Sequence, residues 1–316
     1  MQHPFGRRRF LSAAVITLPL LAGLSGCATQ TSALRSNRPA GLPPRVELAD
    51  TPFFPDETFY CGPAALATVL GAAGLDTTPE AVSGQVFVPG REGSLQIEML
   101  VAARRGGAVA TVLPGTLETL LRELAAGHPV VTLSNLGLSW APSWHYAVAV
   151  GYDLDAGEML LRSGPMKRQQ MALRTFEHTW ARANHWAFVA LPPGQLPATA
   201  LESDAVRALV AFERNAPPDQ AALAYDAGLK RWPDNLVLAI GLGNASYAAG
   251  DLPASERAFR LAAERHGSAA AWNNLAVVLD EQGRRREAIA AARRAVELSG
   301  ADDAGPRETL RRLGET

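Results

Sequence analysis

The sequence has little cysteine, little net charge and only a short apolar run. Its two cysteines, Cys27 and Cys61, can form a disulfide, but a chain of 316 residues does not need one. A net charge of -1 argues against nucleic acid as the main partner, because proteins that bind polyanions usually carry a basic excess. The apolar stretch 11–24 has 14 residues, fewer than the roughly 20 that a membrane-spanning helix needs.

Two functional signatures are absent as well. The sequence contains no Gly-x-x-x-x-Gly-Lys-Ser/Thr loop, so nothing predicts an ATP site. None of the six histidines has the spacing to other ligands that a metal site requires. We therefore expect no metal and no cofactor. Hydrophobic residues make up 47% and charged residues 19%, which predicts a folded chain of about two domains.

Residues 1–27 are typical of an export signal. Three arginines, Arg7 to Arg9, precede the apolar stretch, which ends in Leu24-Ser25-Gly26-Cys27. This ending resembles a lipobox, which implies that a lipid is attached to Cys27 and that the chain has the membrane as a partner. Ala28 at the next position favours the periplasmic face of the outer membrane in a bacterial cell envelope. The n-region also resembles a twin-arginine signal, so the export route stays open between that pathway and the general secretory one.

Composition then divides the rest of the chain. Residues 28–45 are rich in Ser, Thr, Arg, Asn and Pro, which predicts a flexible tether. Residues 46–192 mix helical and strand-like patterns, which predicts an α+β domain. Residues 193–204 read as a linker, and 205–316 as an all-α domain. Helical periodicity predicts helices at 64–73, 95–105 and 117–126, and short apolar runs predict strands at 129–134, 146–152, 159–162 and 186–191.

An internal repeat marks the last domain. The pairs Leu242/Leu275, Gly250/Gly283 and Ala262/Ala295 are each 33 residues apart. The pattern resembles tetratricopeptide repeats, in which helix–turn–helix units stack on one another. Two complete repeats and the second helix of an earlier one are recognisable. Because such arrays usually need about three repeats to be stable, we expect this one to pack on the first domain as well. The resemblance implies that the repeats bind a protein partner or substrate.

Cys61 and His145 form the candidate catalytic pair. Cys61 directly precedes Gly62-Pro63 and a predicted helix, whose free N–H groups and dipole favour a thiolate and can hold an oxyanion. His145 lies at the start of an apolar strand, a rigid position for the general base that a cysteine nucleophile needs. A buried, inert cysteine and a histidine that only packs are the alternatives.

These residues carry a resemblance to a known family. The segments FFPDETFYCGPAALA at 53–67, GHPVV at 127–131 and HYAVAVGY at 145–152 resemble motifs of the C39-like cysteine peptidases, which have a papain-like fold. The match covers roughly residues 46–192. It implies that Cys61 is the nucleophile and His145 the base in hydrolysis of a peptide bond. With the lipobox and the repeats, the chain also resembles lipid-anchored members of this family.

Two positions depart from the family's pattern. A Gln usually precedes the Cys by about five residues as an oxyanion donor, and Asp56 stands there in this chain. The third catalytic residue is usually an Asp, whereas here the strand ends in Ser163-Gly164-Pro165. Ser163 can accept a hydrogen bond from His145 but lacks the charge to stabilise an imidazolium. Two hypotheses follow: an exported thiol peptidase, or an inactive papain-like binding module with a repeat scaffold.

Overall fold

The computed structural model describes residues 28–56, 60–88, 90, 93–300 and 303–314. The predicted signal peptide and the candidate lipidation site Cys27 lie outside these residues. Among the helices of the described ranges, none is long and apolar enough to cross a membrane.

The first domain alternates helices with short antiparallel strands. Its helices are α1 (Thr29–Ser36), α2 (Cys61–Ala72), α3 (Pro79–Val86), α4 (Gln96–Arg105), α5 (Leu117–Ala125) and α6 (Leu173–Ala181). Its strands are β1 (Arg45–Glu47), β2 (Phe87–Val88), β3 (Gly93–Ser94), β4 (Val109–Val112), β5 (Val130–Asn135), β6 (Trp144–Asp153), β7 (Glu158–Ser163), β8 (Met166–Ala172) and β9 (Ala187–Leu191). The predicted α+β class is confirmed.

Seven of these strands form one sheet, in which β6 is the longest strand. The order is β4-β9-β5-β6-β7-β8, and β1 pairs with the end of β6 that β5 leaves free. Strands β2 and β3 form a separate hairpin. At the start of β6, His145 pairs with Ser134 of β5, while β7 pairs with β6 only from Val148 onward.

The sheet is buried on both faces. Side chains alternate between the faces of a strand, so Tyr146, Val148 and Val150 pack with α2 and α4 in one core. Ala147 and Ala149 point the other way, into a second core with α5 and α6. This double burial explains why the sequence of β6 is almost continuously apolar.

The segment 28–45 is not the flexible tether that its composition predicts. Residues Thr29–Ser36 form α1, and the main-chain N–H groups of Gln30 and Thr31 donate to the carboxylate of Glu177 in α6 at 2.9 and 2.7 Å. Leu42 is buried in the second core. The polar residues of this segment thus form a helix, and its first main-chain amides donate to a carboxylate that is far away along the chain.

The C-terminal part is all-α, as predicted. Its helices are α7 (Glu202–Glu213), α8 (Pro218–Arg231), α9 (Leu236–Ala248), α10 (Leu252–His266), α11 (Ala269–Glu281), α12 (Arg285–Leu298) and α13 (Ala304–Arg312). Helix α7 supplies the first half of the earliest helix pair, which the sequence pattern left unrecognised. A Cβ on Gly243 would lie 2.5 Å from the ring of Phe259, so small residues do allow close helix approach here.

Helix α7 also joins the repeats to the first domain. Val109 of β4 packs in one cluster with Ala208, Leu209 and Phe212 of α7. The expectation that the array packs on the first domain agrees with this contact. Strand β4 is an end strand of the sheet, so α7 also covers an edge that would otherwise be open to pairing.

Candidate active site

Cys61 is the first residue of α2. The sequence predicts Pro63 as the first helical residue, but α2 begins two residues earlier, at Cys61. Pro63 is therefore the third residue of the helix. A proline is tolerated there because N–H groups of the first turn have no partner within the helix. The helix ends as predicted at Gly74, which has the left-handed φ of 78°. Cys61 therefore lies where main-chain N–H groups of the first turn point out of the helix.

His145 is held by Ser163, as the sequence predicted for this pair of positions. The Nε2 atom of His145 and the Oγ atom of Ser163 are hydrogen-bonded at 2.8 Å. His145 is the second residue of β6, and Ser163 is the last residue of the neighbouring strand β7. This bond occupies one of the two ring nitrogens, and His145 lines the same groove as Cys61.

Asp56 lies beside both members of the pair. Its main-chain N–H donates to the carbonyl of Gly164 at 3.2 Å, in the turn that follows Ser163. Its charge acts on His145 and on Cys61. The structure thus brings together Cys61, His145, Ser163 and Asp56, the four residues that the sequence selected.

Burial dominates the electrostatics of the pair. Burial raises the pKa of the Cys61 thiol, and the charge of Asp56 raises it further, while main-chain N–H groups of Tyr146, Gly62 and Cys61 oppose the rise. Burial also lowers the pKa of His145, which Asp56 opposes. The N–H groups at the helix start favour the thiolate as expected, but burial outweighs them, so the pKa of Cys61 lies above its ordinary value and that of His145 below.

Burial likewise raises the pKa of Asp56 itself, and His145 opposes this rise. The carboxyl group consequently takes up a proton at a higher pH than an ordinary aspartate. A protonated carboxyl donates a hydrogen bond, whereas a carboxylate only accepts one. Asp56 therefore repels an oxyanion when it is ionised and can donate a hydrogen bond to one when it is protonated. The change between the two states occurs at a higher pH than for an ordinary aspartate.

The pair lies in a groove of about 900 Å³. One part of its wall is apolar and is formed by Leu95, Leu133, Leu136, Pro142 and Trp144. The uncharged polar side chains of the groove belong to Ser94, Gln96, Ser143, Tyr146 and Asn184. A groove of this size accommodates several residues of an extended peptide.

Sequence patterns did not identify Gln96 and Asn184. Gln96 opens α4, and Asn184 lies in the turn between α6 and β9, both far along the chain from Cys61. Asn184 and His185 have φ values of 54° and 53°, a left-handed conformation that costs energy outside glycine. Asn and His adopt this conformation more readily than most residues, and the turn they form brings Asn184 to the groove.

Within the described residues, no group of three or more His, Cys, Asp or Glu side chains is placed to hold a metal ion.

Comparisons with known proteins agree with the motifs. Residues 48–188, within the first domain, match the model of the Peptidase_C39 like family. A solved C39-like peptidase from Bacillus anthracis aligns at 18% identity and a TM-score of 0.39, over 46% of this chain and 97% of its own. The first TPR domain of Spaghetti bound to an HSP90 peptide aligns at 18% identity and a TM-score of 0.34, over 36% and 90%. No curated protein matches the sequence.

Proposed function

We propose that this chain is a thiol hydrolase that cleaves a peptide bond or a related amide. The observation that carries the proposal is the hydrogen bond between His145 and Ser163, with His145 and Cys61 lining the same groove. A base whose orientation is fixed by a third residue, with a nucleophile on the same groove, is the arrangement that thiol catalysis requires.

In the proposed mechanism, His145 removes the proton of the neutral Cys61 thiol as the sulfur attacks the substrate carbonyl carbon. The new carbon–sulfur bond leaves the carbonyl electron pair on oxygen, and the main-chain N–H of Cys61 stabilises that oxyanion together with Asp56 when Asp56 is protonated. His145 then gives the proton to the departing amine as the carbon–nitrogen bond breaks. A water molecule, deprotonated by His145, hydrolyses the resulting thioester and restores the thiol.

In this proposal Ser163 and Asp56 together replace the aspartate that is usually the third catalytic residue. Ser163 orients the ring of His145 through the 2.8 Å bond but brings no charge. The charge of Asp56 raises the pKa of His145 and so favours the imidazolium that forms during attack. In the usual triad one carboxylate both orients the histidine and supplies a negative charge. Here Ser163 orients His145 and Asp56 supplies the charge.

An activity-based experiment tests the proposal directly. A thiol-directed peptidase probe should label the purified wild-type protein at Cys61, and Cys61→Ala should remove the label. His145→Ala should reduce labelling strongly while leaving the circular dichroism spectrum unchanged, because it removes the base but little of the core. A wild-type protein that no such probe labels would leave only the second candidate.

That second candidate is an inactive binding module. The raised pKa of Cys61 and the uncharged Ser163 favour it, because both weaken a thiol catalyst. In this alternative the groove binds a peptide without cleaving it, and the repeats serve as a scaffold for a protein partner.

We further propose that the protein is exported and held at a membrane through Cys27, and that the repeats recruit a protein partner or substrate. The lipobox-like ending and the basic residues before the apolar stretch support the anchor. A fatty-acid analogue fed to cells should label the wild-type protein and not Cys27→Ser. Retention of the label in that variant would contradict the anchor.

A further inference from the structure

The groove around Cys61 has an unusual composition for a peptide site. Apart from Cys61 and His145 themselves, the lining residues that the structure describes carry no ionisable group except the phenol of Tyr146. Burial raises the pKa of Tyr146, so its hydroxyl stays neutral. A charged side chain that packs against these described lining residues, away from Asp56, would lose hydration without gaining an opposite charge from them, which is costly.

One wall of the groove is apolar, exposed and rigid. Leu136 and Trp144 are 49% and 54% exposed although they line the groove. The loop between them is fixed by its own hydrogen bonds: Asn135 Oδ1 accepts from the N–H groups of Gly137 and Ser143 at 3.0 and 2.9 Å. Exposed apolar side chains that lie together, unlike single ones, are typical of an interaction surface.

The polar groups of the groove suit a peptide main chain. The side-chain amides of Gln96 and Asn184 line it and make no hydrogen bond with any other part of the chain that the structure describes. A carboxamide both donates and accepts, so it can bind the N–H and C=O groups of an extended peptide without selecting a charge.

We propose that the groove selects peptide segments with uncharged side chains and binds a bulky apolar one against Leu136 and Trp144. This inference rests on the proposed function for the fate of the peptide, but the selectivity itself concerns binding. The occupant is a peptide that extends from the apolar wall to the reactive residues, because the wall is continuous with the lining that includes Cys61 and His145.

Selection from a peptide library tests the inference without requiring catalysis. The full chain carrying Cys61→Ala is immobilised and offered a pool of random hexapeptides, and the retained peptides are sequenced. Leu, Ile, Met, Phe and Trp should be enriched over Asp, Glu, Lys and Arg at one position by on the order of tenfold, the usual discrimination of an apolar pocket.

Two loop variants locate the selectivity. Leu136→Asp in the Cys61→Ala background should abolish the apolar preference and enrich Lys and Arg at the same position. Leu138→Asp is the matched control, because Leu138 is 55% exposed on the same loop but is not among the groove's lining residues. It should leave the preference unchanged.

The outcomes separate this inference from the proposed function. Equal retention of charged and apolar peptides, or no retention of any peptide, would overturn the inference even if the wild-type thiol reacts with peptidase probes. Apolar selection by a protein whose wild type cleaves nothing would support the inference and overturn the hydrolase. An equal loss of preference in Leu136→Asp and Leu138→Asp would also overturn it, because the contact would then lie on the outer face of the loop.

Discussion

Asp56 has two opposite effects on the catalytic pair. As a carboxylate it raises the pKa of Cys61 and repels an oxyanion, and both effects slow attack. The same charge raises the pKa of His145 and stabilises the imidazolium that attack produces. Which effect is larger decides whether this chain is slower or faster than one with an amide at position 56.

Alkylation of Cys61 measures the first effect alone. Burial and the charge of Asp56 raise the pKa of the Cys61 thiol, so its reaction with iodoacetamide should accelerate at a higher pH than that of an ordinary thiol. Asp56→Asn removes the charge at almost constant size, so the inflection should move to lower pH. Mass spectrometry of the peptide that contains Cys61 follows the reaction. An unchanged or higher inflection would show that Asp56 does not act on the thiol through its charge.

Turnover measures the sum of both effects. Asp56→Gln supplies a neutral N–H donor, and one such donor is worth up to about 10²–10³-fold in rate in a well-studied hydrolase. We expect faster hydrolysis in Asp56→Gln at neutral to alkaline pH, measured on any peptide that the wild type cleaves. Towards acid the difference should shrink, starting above pH 3.8, because the raised pKa lets the wild-type carboxyl protonate and donate. A slower variant at every pH would make the support of His145 the dominant role.

At the scale of elements, the site depends on the close approach of α2 and the β2–β3 hairpin. A Cβ on Gly62 would lie 2.2 Å from Ser94 Oγ and 2.6 Å from Ser94 Cβ, distances at which the backbone has to move. Tyr146 holds the hairpin from the other side, since its hydroxyl donates to the carbonyl of Ser94 at 3.2 Å. The hairpin is thus fixed between the nucleophile helix and the histidine strand.

Gly62→Ala should therefore destabilise the fold and displace the wall of the groove. Overpacking of this kind typically costs about 1–3 kcal/mol, measured as a lower midpoint of urea unfolding. Ser94→Gly should recover most of the loss in the double variant, because it removes both clashing atoms. The control is Gly84→Ala in α3, where nothing lies within 4 Å of the new Cβ and where alanine should stabilise by about 0.5–1 kcal/mol. Additive effects of Gly62→Ala and Ser94→Gly would contradict this contact.

The elements of the site could be predicted where local pattern decides them. Cys61 and His145 were found because a helix start and an apolar strand are visible in a few neighbouring residues. The ordered segment 28–45 was missed because Glu177, which binds its amides, is about 146 residues away along the chain. Gln96 and Asn184 were missed for the same reason: chain reversals, and not local composition, bring them to the groove.

At the scale of the whole molecule, the linker between the domains is held from both sides. Glu123 of α5 is fully buried and accepts from the N–H groups of Ala198 and Thr199 at 3.1 and 2.7 Å. The hydroxyl of Thr199 also donates to it, and His128 Nδ1 lies 2.7 Å from its other oxygen. Arg231 of α8 donates to the carbonyls of Pro197, Ala198 and Ala200. A segment whose proline content suggests a loose hinge is therefore a fixed connection, and it orients the repeats on the first domain together with α7.

Removing the buried carboxylate should release this connection. Glu123→Ala leaves the amides of Ala198 and Thr199 without their acceptor, and a buried donor left unsatisfied costs about 1–3 kcal/mol. We expect limited proteolysis to cut near 192–200 in this variant and much more slowly in the wild type. The control is Glu118→Ala, an exposed carboxylate on the same helix that pairs with Arg122.

Burial alone would raise the pKa of Glu123, but the bonds from His128 and Thr199 outweigh it and place the pKa below 4.5. The stabilisation is therefore complete above pH 4.5 and is lost as the pH falls through the lower folded value, so the wild-type linker should become cleavable only in that acid range by an acid-active protease. Equal cleavage of Glu123→Ala and wild type at neutral pH would mean that α7 and β4 hold the domains together without the carboxylate.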